Sequence, residues 1–403
     1  MSIFSLEVFQ ADEGDSLLLH YGNKSAPKFL LIDGGPNRNT FLNTTAKRLE
    51  ELRQIFPDAN GQLQLQIVMV SHIDDDHIEG LLAMTDDLIE KKEDQSAIPY
   101  NIRTFWLNSF DDILGNQDEE IFNGLIDQIN LAGVDGTFPD IEIKDQYSAA
   151  ILSSVNQGRK LHHNIAKLGI ALNAWNGQKR ENGFRPLIAR PEHGVRTIKW
   201  DQDLKLTILA PDIIRLKSLR SKWDAAIRKK PNLKSLADLA AFSDTSVANL
   251  SSIVVLAECE GKRMLLTGDA RGDDIFAGVE GAGLYDQNHQ LHVDLLKLPH
   301  HGSDRNVTTE FFSSFPATHY VASGNGKHGN PELIKTIEKM LEVAHSQDDF
   351  ILHLTNKTGK KGFTKSVEAF FRKKLERGRM YEVNFREPNK DSIIINLLDP
   401  VNY

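Results

Sequence analysis

The sequence predicts a mixed α/β fold whose ligand-type residues gather at strand ends. Two observations carry this. Short apolar, β-branched segments dominate both ends of the chain, and helix-like segments lie between them. Histidines and aspartates also cluster in three places, each directly after such a strand: His72 to His77, Asp269, and His300 with His301. The carboxyl ends of strands are where open α/β sheets place their ligands.

Taken in order, Ser5 to Phe9, Ser16 to Tyr21 and Lys28 to Ile32 read as three short strands, with Gly14-Asp15-Ser16 and Gly22-Asn23 as turns. The third ends in Asp33-Gly34-Gly35, where Asp33 is either a turn former or a carboxylate that orients His72. Thr40 to Ile55 is expected to be helical. Leu63 to Val70 reads as a buried strand that delivers Ser71-His72-Ile73-Asp74-Asp75-Asp76-His77-Ile78-Glu79-Gly80, after which Leu81, Leu82 and Met84 begin a helix. In that stretch His72 and Asp74 alternate and can point into one site, while Asp76 and His77 follow as the chain turns and can face a second. Imidazole nitrogen and carboxylate oxygen both ligate Zn, Mn or Fe. An acidic helix start would explain Asp74 to Asp76 through the helix dipole but leaves the histidines incidental.

Further along, Asn101 to Leu107 reads as a strand, Ile121 to Leu131 as a helix, and Ala149 to Trp175 as one or two helices. His162 and His163 lie in the last of these; neighbours on a helix cannot face one way, so they are read as surface residues. Arg196 to Trp200 and Leu204 to Leu209 alternate like a hairpin. Residues 212–245 form a basic amphipathic helical insertion, with Arg215, Lys217, Arg220 and Lys222 interleaved with Leu216, Leu219 and Trp223; a solvated face is the first reading and a substrate-contacting arm the second. Strands resume at Ile253 to Ala257, Arg263 to Leu266 and Leu291 to Leu298, and a further strand closes around Ala322. Helix Glu332 to Ala344, strand Phe350 to Leu354, helix Thr364 to Leu375 and strand Ser392 to Leu397 finish the chain. One domain over 1–403 is expected, with 346–403 as an extension that completes it.

Composition sets outer bounds. The 403 residues are 40% hydrophobic and 26% charged, as in soluble globular proteins. A net charge of −9 argues against a generally basic nucleic-acid-binding surface, though not against a local basic groove. The single cysteine, Cys259, sits in an apolar run and is expected in the core. No signal peptide or apolar run of about 20 residues is present, so a cytoplasmic protein without membrane contact is expected.

Ser71 to His77 (S-H-x-D-x-D-H), Asn249 to Ser252, Leu265 to Asp269 (L-L-T-G-D) and His300 to Ser303 (H-H-G-S) together resemble the metallo-β-lactamase superfamily. The nearest pattern is that of the ComEC-type competence protein hydrolase domain. Gly14-Asp15-Ser16 and Leu31 to Gly35 also fit, and the resemblance spans roughly residues 1–345 with interruptions. It implies a four-layer αββα sandwich of two mixed sheets with helices outside and a dimetal site along one edge. His72 and Asp74 would hold one metal, Asp76 and His77 the other, and Asp269 would bridge them. One of His300 and His301 would complete the second site, His300 preferred because it directly follows the strand. Asp33, Asn249 and Ser303 would support the site or contact substrate. Asp74 stands where much of the superfamily has His, and Asn249 stands nearest to a metal-binding His that is absent here.

The resemblance implies two divalent ions, Zn(II) first and Mn(II) as the alternative. The activity it implies is metal-dependent hydrolysis through a metal-bridging hydroxide, on a phosphate-containing substrate such as a phosphodiester or nucleic acid. Asp76 and His328 are the expected catalytic residues, His328 as proton donor or phosphate contact. The alternatives are a lactam or thioester hydrolase, or a metal-stabilised, non-catalytic part of a larger assembly, for example a defence system with a protein partner from the same operon.

Overall fold

Alternation of side chains along the strands builds this molecule in layers. The computed structural model describes residues 1–108, 146–175, 196–212, 251–325, 331–343, 349–356 and 381–403. The amino-terminal half begins with β1 (Ser2–Phe9), β2 (Leu17–Asn23) and β3 (Ala26–Ile32). A helical stretch follows, α1 (Arg38–Phe41), a π-helical turn (Leu42–Ala46) and α2 (Lys47–Ile55), then β4 (Leu63–Met69) and α3 (Asp75–Glu93). Next come β5 (Tyr100–Ile102), β6 (Thr104–Trp106), α4 (Gln146–Leu168) and β7 (Ala171–Leu172).

The second half contains β8 (Arg196–Lys199), β9 (Lys205–Ala210), β10 (Val254–Cys259) and β11 (Lys262–Leu266), then α5 (Gly272–Gly281) and β12 (Val293–Lys297). A 3₁₀ turn (Pro299–Gly302) leads to α6 (Thr309–Ser314), β13 (Ala317–Ala322), α7 (Pro331–Val343), β14 (Phe350–Leu354), β15 (Tyr381–Phe385) and β16 (Ser392–Asn396). The strands form two 8-stranded sheets, one ordered β16-β1-β2-β3-β4-β6-β7 with β5 beside β4, the other β15-β14-β13-β12-β11-β10-β9-β8. Each is antiparallel on one side and parallel on the other. In the first the change falls between β3 and β4; in the second, between β11 and β12.

Three apolar clusters separate four layers. Alternate residues Phe4, Leu6, Leu17, Leu19, Leu30 and Ile32 meet Leu206, Ile208, Val255, Met264 and Leu266 between the sheets. The intervening Leu18, Phe29 and Leu31 face outward and pack with Leu49, Leu52, Leu81 and Leu161 of α2, α3 and α4. On the far side Leu256, Leu265 and Leu296 pack with Ile275, Phe311 and Ile337 of α5, α6 and α7. Period-two alternation with both faces apolar is what a sheet covered on both sides requires. The αββα sandwich expected from the sequence is therefore observed, with Cys259 buried between the sheets.

Several elements differ from expectation. Asn101 to Leu107 is two short strands rather than one, because β5 and β6 pair with different stretches of β4. The last residues of the segment expected to be helical form β7, which pairs with β6 after Gly169 turns the chain at φ +75°. α5, α6 and β15 were not expected from the sequence. The insertion at 212–245 lies beyond Asp212 outside the described residues, as do the predicted helices at 121–131 and 364–375. Among the described residues no helix is long and apolar enough to cross a membrane.

Candidate metal centre

The candidate site forms where the parallel strands of both sheets end. Asp33 follows β3, Ser71 and His72 follow β4, Asp269 follows β11, and His300 and His301 follow β12. The backbone knits these ends together: Ile253 N–H donates to Ser71 C=O at 2.8 Å, and His300 N–H donates to Gly268 C=O at 3.2 Å. Asp33, His300 and His301 adopt positive φ of 59°, 49° and 52°. Non-glycine residues rarely sit there, and such conformations concentrate where surrounding structure holds a functional geometry.

Asp269 is the hub. His77 Nε2 lies 3.4 Å from its Oδ1; His301, His300 and His72 Nε2 lie 3.5, 3.7 and 3.9 Å from its Oδ2. Asp76 Oδ2 is 3.1 Å from His301 Nε2, and Asp76 Oδ1 is 3.8 Å from His77 Nε2. Asp74 Oδ2 is 3.5 Å from His72 Nε2. Most of these separations are long for hydrogen bonds. They match the edges of a coordination shell, since donors about 2.0–2.2 Å from one ion in tetrahedral array sit roughly 3.3–3.6 Å apart.

Each imidazole is anchored through its other nitrogen. His77 Nδ1 faces Asp33 Oδ2 at 2.9 Å, and His72 Nδ1 faces Ser71 Oγ at 3.1 Å, whose hydroxyl in turn donates to Asp33 Oδ2 at 2.7 Å. His300 Nδ1 faces Asn306 Oδ1 at 3.1 Å, and His301 Nδ1 faces Asp15 Oδ1 at 3.2 Å. With the acceptor on that side, the proton belongs on Nδ1 and the lone pair on Nε2, which is the form that can ligate a cation. His72 Nε2, His77 Nε2 and Asp269 Oδ1 are buried without a hydrogen bond of good geometry. Buried donors in that state are rare, and cations placed among them would satisfy all three. The donors therefore fit a divalent ion. Asp15, His77, Asp269 and His301 form one group with ligand atoms mutually close enough to share an ion, and His72, Asp76 and His77 form another.

Electrostatics follow from the same proximity. Burial would lower the His77 and His301 pKa, but the surrounding carboxylates reverse this, raising His77 well above its usual value and His301 to about 10. Burial would raise Asp76 and Asp269, yet nearby imidazoles hold Asp76 at about 2 and Asp269 well below its ordinary value.

The sequence-predicted residues divide as follows. His72, Asp74, Asp76, His77, Asp269, His300 and His301 all converge. Asp74 begins α3, but its side chain makes no capping bond and turns toward His72. Asp33 orients His77 and Ser71 directly; it reaches His72 only through the Ser71 hydroxyl. The preference for His300 over His301 does not match the geometry. His301 is buried and joins the four-residue group, whereas the His300 side chain keeps 36% of its exposure. Two successive left-handed residues turn the chain so that the second imidazole enters. Ser303 is buried and closes the turn through its backbone N–H to His300 C=O at 2.8 Å. Asn249 and His328 lie outside the described residues.

Two further residues complete the floor of the site: Asp15, of the Gly14-Asp15-Ser16 stretch, and Lys297. Lys297, 1% exposed, contacts Asp15 Oδ2 and lies 4.0 Å from Asp269 Oδ1. Asp15 also accepts from Ser323 Oγ. The available signal was a lysine between Leu296 and Leu298 at the end of a strand, since unpaired lysines are almost never fully buried.

No protein-family model matches the chain, and no curated protein matches it. Similar solved structures include the metallo-beta-lactamase fold protein YhfI from Bacillus subtilis, at 11% identity and TM-score 0.36, covering 98% of this chain and 100% of that one. A putative metal-dependent hydrolase from Parabacteroides distasonis aligns at 10% identity and TM-score 0.35, over 87% of this chain and 93% of that one. Zn(2+)-bound PqqB from Methylobacterium extorquens aligns at 10% identity and TM-score 0.41, over 98% and 100%.

Proposed function

We propose that this chain is a metal-dependent hydrolase and that its substrates are phosphodiesters. The observation that carries the metal reading is the convergence of four Nδ1-anchored imidazoles on Asp269, with donor atoms left unsatisfied in the interior. We assign His72, Asp74 and Asp269 to one cation position and Asp76, His77, Asp269 and His301 to the other. Charge supports two ions rather than one. Among the described residues the site gathers the carboxylates of Asp15, Asp33, Asp74, Asp76 and Asp269 around one buried ammonium, Lys297, and two divalent cations would neutralise the excess. The mixed nitrogen and oxygen donors suit Zn(II), and Asp74 makes the first position hard enough for Mn(II).

Such ions, when bound, supply acidified water and positive charge for phosphoryl oxygens. The chain's own residues hold the geometry. Asp33 and Asn306 fix the ring planes of His77 and His300, and burial of Asp269 keeps bulk water from competing for its oxygens. His300, half-exposed with Nε2 toward Asp269, stands at the rim where a substrate would enter. His328 is assigned as the proton donor to the leaving oxygen, and Asn249 and Ser303 as substrate-side residues. Phosphodiester chemistry is preferred because two adjacent positive centres match charge that builds on non-bridging oxygens, and because the motifs resemble a ComEC-type hydrolase domain.

The test is a panel with Mn- or Zn-loaded protein: bis-p-nitrophenyl phosphate, single- and double-stranded DNA, RNA, and a chromogenic β-lactam. Phosphodiester turnover that disappears in Asp76→Ala is expected. β-Lactam turnover alone would reassign the chemistry, and metal-loaded protein inert toward every substrate would favour a structural metal.

A further inference from the structure

We propose that Asp15 and Lys297 are a positioning pair for His301: Lys297 holds one oxygen of Asp15 so that the other fixes His301 with Nε2 open toward Asp76 and Asp269. The proposal rests on the metal-centre reading above and gives Asp15, one of the four grouped residues, and Lys297 the role of holding a ligand rather than being one.

The geometry joins both sheets. Asp15 enters from the turn between β1 and β2, Lys297 from the end of β12, and both side chains are 1% exposed. Lys297 Nζ contacts Asp15 Oδ2, while Asp15 Oδ1 accepts from Ser323 Oγ and faces His301 Nδ1 at 3.2 Å. A carboxylate has no proton to give, so the hydrogen between Asp15 and His301 resides on Nδ1, and Nε2, 3.1 Å from Asp76 Oδ2, is the nitrogen whose proton a cation would replace. Asp15 N–H in turn donates to Asp76 C=O at 3.2 Å, which places the turn, the start of α3 and the late histidine in one frame. A buried ammonium carries a large desolvation cost and leaves its partners strongly constrained. Here its partner is the one carboxylate that anchors His301.

The amide variant makes this testable. In Asp15→Asn, Lys297 holds the amide oxygen, so the NH₂ group faces His301 Nδ1, and the imidazole proton shifts to Nε2. Full-length protein is stripped of metal and titrated with Zn²⁺ against a chromophoric chelator, with circular dichroism confirming that each variant is folded. Asp15→Asn is expected to weaken one zinc position roughly 10–100-fold, the range typical when the partner of a ligating histidine is removed. Asp15→Asn combined with Lys297→Met frees the amide to turn its oxygen to Nδ1 and is expected to recover most of that loss. Lys297→Met alone, which keeps the Asp15 acceptor, is expected to lose less than Asp15→Asn. A purely structural ion pair gives no recovery in the double variant, and that result overturns the proposal. Wild-type affinity in Asp15→Asn beside weakened binding in His301→Gln overturns it too. If His301→Gln also binds zinc as wild type does, the metal-centre reading itself fails.

Discussion

The imidazoles of the cluster are each held at Nδ1 by oxygen partners, a carboxylate among them for His77 and His301, so single substitutions at those partners act on ligand form rather than on ligand identity. Asp33→Asn replaces the acceptor of His77 and of the Ser71 hydroxyl. It is expected to lower divalent-ion affinity roughly 10–100-fold, as read by chelator competition, while leaving the donor list intact. Asp74→His tests metal preference. An imidazole in place of a carboxylate softens the first position and should raise the ratio of Zn(II) to Mn(II) affinity, measured on one preparation. At this scale the sequence made legible which residues converge wherever the place at a strand end brings them together. His72, Asp74, Asp76, His77 and Asp269 are such residues. Asp15 was visible only as part of the Gly14-Asp15-Ser16 stretch, and its pairing with Lys297 was not legible, because two sheets meeting choose it and it leaves no local spacing. The choice between His300 and His301 was equally hidden, since it depends on two left-handed backbone residues.

Elements bring those residues into place, and α3 does most of this. Its first turn rests on the loop after β3: Gly34 N–H donates to His77 C=O at 2.7 Å, and Gly80 N–H donates to Gly35 C=O at 3.2 Å. The backbones approach so closely that a Cβ on Gly80 would overlap Gly34 O, and one on Gly34 would overlap Leu81 N. Gly80→Ala must displace α3 or the loop. It is expected to cost about 1–3 kcal/mol in urea unfolding, as overpacking does, and to weaken metal binding through His77 and Asp76 at the same helix start. The helix and strand periods around this turn were readable, because apolar alternation and a helical run flank it. β15, α5 and α6 were not. β15 is recognisable as a strand only through its parallel pairing with β14, and α6 is too short to establish a period.

The whole molecule adds a pH dependence of its own, away from the candidate centre. Glu7, buried beside β2 and α2, would be raised by burial, but His20 at 3.0 Å and Arg48 at 3.2 Å hold it below its ordinary value of 4.5. Its stabilising contribution is present above 4.5 and is lost as pH falls through the lowered folded value. His353 shifts the other way for a base. Burial first, then His319, pushes it from 6.5 to about 3, so between those values the unfolded chain binds the extra proton and stability falls on acidification. Both contributions act in one direction. Thermal unfolding should show a melting temperature that declines below pH 6.5. His353→Phe should flatten the upper part of that decline and Glu7→Gln the part below pH 4.5, although Glu7→Gln lowers stability near neutrality by breaking a buried pair.

The layered architecture as a whole was legible in the sequence through the motif resemblance and the strand-rich ends. The pairing order of the sixteen described strands was not, because parallel neighbours are joined by long crossovers whose register only tertiary packing sets. Those crossovers place the ends of β3, β4, β11 and β12 side by side, and the candidate metal centre depends on that convergence. Metal content after dialysis against Zn²⁺ or Mn²⁺ and removal of free ion tests it most directly, for wild type and Asp269→Ala in parallel. Two equivalents retained by wild type and a near-complete loss in Asp269→Ala, with both proteins folded, is the expected result. Wild type that retains no ion, or Asp269→Ala that retains as much as wild type, would contradict it.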